Sequence, residues 1–297
     1  SSTGHKPRIL IGKDTRQSGD MLEAALTAGL CSVGADVESL GVVPTPAVAY
    51  LVRKYNADAG VVISASHNPM EFNGIKIFAG TGYKLPDEVE NKIEAYIDNQ
   101  CAGLKLATGD DVGRVTCRTD GIKDYTDHLY ESINGDLSGL NICIDCANGA
   151  SAAVARQLFP RLGAKCTFIG VEPDGKNINA GVGSTHLDNL EKAVVEGGFD
   201  CGIAFDGDAD RCLACDEKGQ EIDGDKVIAL LAMNMKEKGC LDGNTAVVTV
   251  MSNLGFIKFM ESQGIRTEKT AVGDRYVLEN MRENGYASGG EQSGHVI

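Results

Sequence analysis

Three aspartates at alternate positions, Asp206, Asp208 and Asp210, follow directly on the apolar run Cys201-Gly202-Ile203-Ala204-Phe205, and Arg211 comes next. The run reads as a short buried strand. Three carboxylates at the mouth of a strand repel one another unless a cation neutralises them. Oxygen-only donors suit a hard ion such as Mg²⁺, Mn²⁺ or Ca²⁺. A plain acidic turn is the competing reading, since Asp and Gly both favour turns. A calcium-binding module is another. Asp206, Asp208, Asp210, Leu213 and Glu217 fall at the first, third, fifth, eighth and twelfth positions of an EF-hand loop. Arg211 stands where such a loop needs glycine, and the preceding element reads as a strand instead of a helix. Both points favour a catalytic metal and leave calcium open.

Three further loops carry groups of chemical interest. Ser64-Ala65-Ser66-His67-Asn68-Pro69 follows the apolar run Ala59–Ser64, and Ser66 is a candidate nucleophile or phosphate carrier. Downstream, Lys76 lies between Ile75 and Ile77, so its ammonium points away from both on a strand. Lys13-Asp14-Thr15-Arg16-Gln17-Ser18-Gly19 could present Arg16 to a phosphate or leave it in water, and it lacks the pattern of a Walker A loop. Gly289-Gly290-Glu291-Gln292-Ser293-Gly294-His295 is polar and glycine-flanked, suited to close approach by a ligand. A serine, a carboxylate metal loop and scattered cations together fit phosphoryl transfer, which is mostly positioning and charge neutralisation.

The elements that must hold these loops are legible from periodicity. Short apolar strands alternate with helices along all 297 residues, which reads as α/β: three consecutive similar α/β domains with mixed, mostly parallel sheets flanked by helices. The expected divisions are 1–112 for the serine loop, 113–222 for the aspartate loop and 223–297 for the Glu291 loop. Hydrophobic residues make up 42% but aromatics only 5%, so the core must rest on aliphatic side chains. A net charge of −14 argues against a nucleic-acid partner. With no apolar run long enough to span a bilayer and no signal peptide visible, no membrane partner is expected and a cytoplasmic location is. Among the ten cysteines, Cys143/Cys146 and Cys212/Cys215 have a zinc-like spacing. In strands, residues three apart face opposite ways, so buried free thiols are expected instead.

The serine loop, Asp206-Gly207-Asp208-Ala209-Asp210-Arg211 and Gly290-Glu291-Gln292-Ser293-Gly294-His295 resemble, in that order, three signature loops of the α-D-phosphohexomutases. Pro44-Thr45-Pro46-Ala47-Val48-Ala49-Tyr50-Leu51 and Val272-Gly273-Asp274-Arg275-Tyr276-Val277 are most similar to the bacterial phosphoglucosamine mutase branch. The resemblance implies that Ser66 is the phosphorylated residue. It implies that Asp206, Asp208, Asp210 and a phosphoserine oxygen hold Mg²⁺. Lys76 and Arg16 would then lie near the transferring phosphate, with Lys76 a proton shuttle, and Arg211 would help hold phosphate and loop. Glu291 and Ser293 would bind sugar hydroxyls, His67 would join the substrate contacts, and His295 would lie near the reacting centre. The implied partners are a hexosamine phosphate and its 1,6-bisphosphate, interconverting glucosamine 6-phosphate and glucosamine 1-phosphate. Phosphomannomutase or phosphoglucomutase activity is the alternative, and a homodimer is left open. The family pattern also holds a preceding Thr-Asp-Gly loop with an arginine and a fourth domain whose Arg-Ser-Gly-Thr loop grips phosphate. Neither occurs here, so a fragment lacking both, weakly active or inactive, is expected.

Overall fold

A computed structural model describes residues 5–297. The first unit runs β1 (Arg8–Lys13), α1 (Ser18–Ser32), β2 (Asp36–Val42), α2 (Thr45–Lys54), β3 (Ala59–Ile63), β4 (Ile75–Ala79), α3 (Asp87–Asp98) and β5 (Val115–Cys117). Its sheet has the order β4-β3-β1-β2-β5, with β4 antiparallel and the other pairings parallel. Successive strand residues point to opposite faces. Leu10 and Val62 therefore pack with Val48 and Leu51 of α2 on one side. Ile11, Val61 and Ile63 meet Leu22, Leu26 and Leu30 of α1 on the other. Pro44 and Pro46 start α2, where a missing N–H costs nothing.

The second unit runs α4 (Gly121–Glu131), β6 (Asn141–Asp145), α5 (Ala152–Arg161), β7 (Lys165–Ile169), α6 (Asp188–Gly197), β8 (Cys201–Phe205), β9 (Cys212–Asp216) and β10 (Glu221–Ile222). The order is β10-β9-β8-β6-β7, parallel at β7, β6 and β8 and antiparallel beyond. It repeats the first plan: β6, β7, β8 and β9 correspond to β1, β2, β3 and β4. Cys143 packs with Leu190 and Val194, while Cys146 packs with Ile142 and Ala155 on the opposite side. The cysteines are free thiols.

The third unit comprises α7 (Gly224–Glu237), β11 (Thr245–Thr249), α8 (Leu254–Ser262), β12 (Arg266–Thr270), α9 (Asp274–Asn284) and β13 (Gly289–Gly290), with a parallel sheet β12-β11-β13. β11 is buried throughout, with α7 and α8 on one side and Val277 and Met281 of α9 on the other.

One detail differs from the sequence reading. β5 lies beyond the expected division at 112, yet it pairs with β2 and completes the first sheet. Pairing is non-local, and a three-residue strand with every side chain exposed leaves no hydrophobic signature. The apolar stripe of α3 joins no core: Tyr96 and Ile97 are exposed. Among the described residues no helix is long and apolar enough to cross a membrane.

Candidate active site and metal centre

The serine loop, residues 64–74, joins β3 to β4, and the aspartate loop, residues 206–211, joins β8 to β9. These are corresponding connections of the two repeated units, and they face each other. The Ser66 hydroxyl donates to Asp206 Oδ2 at 2.5 Å and lies 3.3 Å from Asp210 Oδ1. The Lys76 ammonium, from β4, donates to Asp208 Oδ2 at 2.5 Å and to Asp210 Oδ2 at 2.9 Å. Asp206 and Asp208 are fully buried. Close approach of the loops depends on Gly207, where a Cβ would come 2.7 Å from the Ser66 carbonyl oxygen. The preceding element is a strand and the following one its antiparallel partner, so the loop is no EF-hand.

Charge is concentrated here. Burial, then Asp208 and Asp210, push the Asp206 carboxyl well above the usual carboxylate range. Burial acts likewise on Asp210, but Lys76 outweighs it and holds that carboxyl low. Burial alone would lower the Lys76 ammonium, yet Asp208 and Asp210 reverse this and raise it. Burial, then Arg211, lower the His67 imidazole.

The residues present fit a metal. One oxygen from each of Asp206, Asp208 and Asp210 lies within 4.8 Å of the others. Asp208 Oδ1 is buried with no hydrogen-bond partner. An unpartnered buried carboxylate oxygen is costly unless a cation takes it. The donors are all oxygen, as a hard divalent ion prefers.

Beside the triad a cleft of about 640 Å³ opens between the first and third units. Its lining includes Thr45, Lys84, Asp210, Arg211, Asp274 and His295. Lys84 Nζ bonds both Asp274 carboxylate oxygens at 2.7 and 2.6 Å, and His295 Nε2 lies 3.7 Å from Asp274 Oδ2. Arg275 reaches back to Asp87, to Glu90 at 3.1 Å and to the Leu85 carbonyl. Glu291 turns its carboxylate onto the Gly273 N–H at 3.0 Å, and Ser293 is exposed.

Three family models match this chain in order. They are described as phosphoglucomutase/phosphomannomutase, alpha/beta/alpha domains I, II and III, and cover residues 1–102, 123–219 and 223–297. The chain belongs to the phosphoglucomutase/phosphomannomutase family. A phosphoglucosamine mutase of Acetivibrio thermocellus is 57% identical over 297 residues, all of this chain and 66% of that protein. Another from Clostridium tetani is 57% identical over 293 residues, 99% of this chain and 65% of that protein. The chain thus spans just under two thirds of these relatives. A phosphoglucomutase/phosphomannomutase family protein of Burkholderia thailandensis superposes with a TM-score of 0.82 at 25% identity, covering 100% of this chain and 64% of that one.

One expectation changes at this site. Arg16 does not present itself to a ligand. It is 2% exposed; its Nε donates to Asp14 at 2.8 Å, and its two terminal nitrogens donate to the carbonyls of Pro69, Phe72, Ser66 and Asn68. All five N–H groups of a guanidinium are thereby used. Lys76 is placed as expected, on the aspartate triad, where Asp208 and Asp210 raise its pKa. The structure brings Ser66, Lys76, Asp206, Asp208 and Asp210 together, with Arg211 and His295 on the adjoining cleft.

Thr45, named from the sequence only as part of the run Pro44 to Leu51, is a site residue. Its hydroxyl donates to Asp208 Oδ2 at 2.5 Å and its N–H to the Asp208 carbonyl at 2.8 Å. A hydroxyl between two prolines at a helix start, after a buried strand, was the available signal. Ser64 went unread likewise: it donates to Asp14 at 2.6 Å and accepts from the Ser66 N–H at 2.9 Å.

Proposed function

We propose that the protein is a phosphoglucosamine mutase that interconverts glucosamine 6-phosphate and glucosamine 1-phosphate through phospho-Ser66 and a 1,6-bisphosphate. One observation carries the reading: a serine hydroxyl from one unit rests 2.5 Å from a buried carboxylate of another, within a triad whose donors converge inside 4.8 Å. A phosphoryl group on that oxygen would carry nearly two negative charges. It needs the cations gathered here. The names of relatives 57% identical support the amino sugar.

In this reading the sugar hydroxyl at carbon 1 attacks phosphorus. Its O–P bond forms as the Ser66 Oγ–P bond breaks. The hydroxyl gives up its proton as the bond forms, Ser66 Oγ takes one up as it leaves, and His295 lies beside the reacting centre. After the bisphosphate reverses, Ser66 Oγ takes the other phosphoryl group. Lys76 neutralises charge and carries the proton from the attacking hydroxyl to Ser66 Oγ, and Arg211 holds phosphate at the cleft wall. Glu291, Ser293 and His67 contribute sugar contacts. Asp206, Asp208 and Asp210 would hold Mg²⁺, which supplies charge neutralisation at the phosphoryl oxygens. A cytoplasmic location and no nucleic-acid partner go with this reading, in keeping with a net charge of −14.

The test is incubation with glucosamine 1,6-bisphosphate and Mg²⁺ followed by peptide mapping. Phosphate is expected on Ser66 alone. Phosphate on Ser64, or none, would sink the reading. Turnover of glucosamine, glucose and mannose phosphates in parallel separates this activity from a phosphomannomutase or phosphoglucomutase. The expectation that these 297 residues turn over hexosamine phosphates weakly or not at all belongs to the proposal, and full turnover would refute it; transfer to Ser66 needs only the loops described above and is expected all the same.

A further inference from the structure

Ser66 has φ +53°, a left-handed conformation that a residue with a Cβ adopts only when its surroundings impose it. The carbonyl that follows is where they act. Ser66 O accepts from Arg16 Nη2 at 2.8 Å and from Asn179 Nδ2 at 2.8 Å. Asn68 O accepts from the same two nitrogens, at 2.8 and 3.1 Å. Each carbonyl thus receives one donor from the first unit and one from the second. That fills both lone pairs of each oxygen and both hydrogens of each nitrogen.

We propose that Asn179 is a positioning residue for phosphoryl transfer: its side-chain amide ties the Ser66 loop to the unit carrying the aspartates and so sets the Ser66 hydroxyl over Asp206. The rate consequence rests on the function proposed above; the clamp itself does not. Arg16 lies in the same unit as Ser66 and can only hold the loop to its own scaffold. Asn179 alone of the two bridges the units, so it governs the distance between nucleophile and carboxylates.

Three features point to a donor role. Asn179 is 5% exposed, and its Oδ1 is buried with no partner. Turning the amide over would set that oxygen against two carbonyls, so the side chain is oriented by its donors. Its own backbone is left-handed, φ +57°, and pinned by its N–H to the Ala147 carbonyl at 2.9 Å. Asparagine accepts that conformation readily. Gly207 of the aspartate loop lies against the same two groups: a Cβ there would sit 2.7 Å from Ser66 O and 2.8 Å from Asn179 Nδ2. Serine loop, asparagine loop and aspartate loop therefore meet at one point.

The test uses Asn179→Gly, which keeps the left-handed backbone and removes the amide, and Asn179→Asp, which keeps the shape and replaces donors by acceptors. Two readouts are taken on the 297-residue chain. Deuterium uptake of the 64–74 peptide should rise severalfold in both variants, more in Asp, with uptake in the third unit unchanged. Transfer from glucosamine 1,6-bisphosphate to Ser66 should fall roughly tenfold to a hundredfold in maximal rate, with the half-saturating concentration within about twofold, as expected for a misplaced nucleophile. A merely structural role would instead spread uptake through the second unit and leave the rate of the folded fraction intact. That outcome, or transfer within about twofold of the unchanged chain, overturns the proposal. If the unchanged chain takes no phosphate, the function reading fails. The clamp is then judged on uptake alone, and an unaltered 64–74 peptide overturns it. Should Asn179→Asp not fold, Asn179→Gly decides.

Discussion

The junction between the first and second units and the junction between the first and third are built from different materials. The former is a seam of directional hydrogen bonds centred on the buried Asp206 and Asp208. Besides the Ser66 and Lys76 contacts, it includes the Thr45 bonds to Asp208, the Thr15 hydroxyl on the Asn148 carbonyl at 2.6 Å and the Gln17 N–H on the Gly175 carbonyl at 2.9 Å. The latter is a set of ion pairs, Lys84 with Asp274 and Arg275 with Glu90, whose side chains are 25 to 41% exposed, bordering the cleft. Buried, directional bonds fix a geometry; part-exposed ion pairs contribute little energy and can part and reform. The contrast matches two tasks. Under the proposed function, nucleophile and metal cage must stay in register, whereas a bound intermediate that reverses needs a cleft that opens.

The largest effect should come from breaking the seam at its chemical centre. Asp208→Ala removes a proposed metal donor, leaving Thr45 and Lys76 without their shared acceptor. Phosphoryl transfer to Ser66 should drop about a thousandfold. Chelation of the unchanged protein should have a similar effect that added Mg²⁺ reverses. Transfer surviving either treatment would remove the metal from the mechanism. Next comes Gly207→Ala. The added Cβ meets Ser66 O at 2.7 Å and Ile178 Cδ1 at 2.7 Å. A destabilisation of about 1–3 kcal/mol is expected, seen as a lower midpoint in urea. An unchanged midpoint would mean that the seam has slack.

Those two substitutions bear on how far this arrangement was readable beforehand. Ser66 and the aspartates were legible because their chemistry is concentrated in short runs with unusual spacing. Arg16 was not, because an arginine in a polar loop looks the same whether it meets water, a phosphate or four carbonyls; the carbonyl ring exists only after folding. Asn179 sits in a stretch whose glycines and asparagines signal a loop, and nothing local marks which amide is buried. The alternation of strands and helices in the first two units was legible, but β5 was not: its pairing residues in β2 lie 78 positions earlier.

The ion-paired junction between the first and third units offers the milder break. Asp274→Asn strips Lys84 of its ionic partner. Stability should change by less than about 1 kcal/mol, since the two side chains are 35 and 26% exposed. The cleft should widen, and small-angle scattering should show a larger radius of gyration. Salt at about 1 M, where screening reaches about 3 Å, should act on the unchanged protein in the same direction and leave the Ser66 contacts intact. A protein compact under both conditions would make this junction as rigid as the seam.

The smallest effect is a proton. Burial and Arg211 lower the His67 pKa, so the folded protein favours the neutral ring. Its contribution to stability is whole above the unfolded value of about 6.5 and declines as pH falls from there toward the folded value. A ring-proton NMR titration should place His67 below its value in the denatured chain. A midpoint at or above it would contradict the crowding seen around Ser66.

Hairpin-like connections at a domain surface are ordinarily where homologous chains gain and lose residues. The two that meet here, 64–74 and 206–211, do not have that freedom. They occupy the same place in repeated units and press against each other through a position that admits no side chain, so a residue inserted into one would have to be matched by a deletion or a retreat in the other. Length variation across relatives should collect in the outward-facing loops and stop at these two, whatever sugar each enzyme accepts.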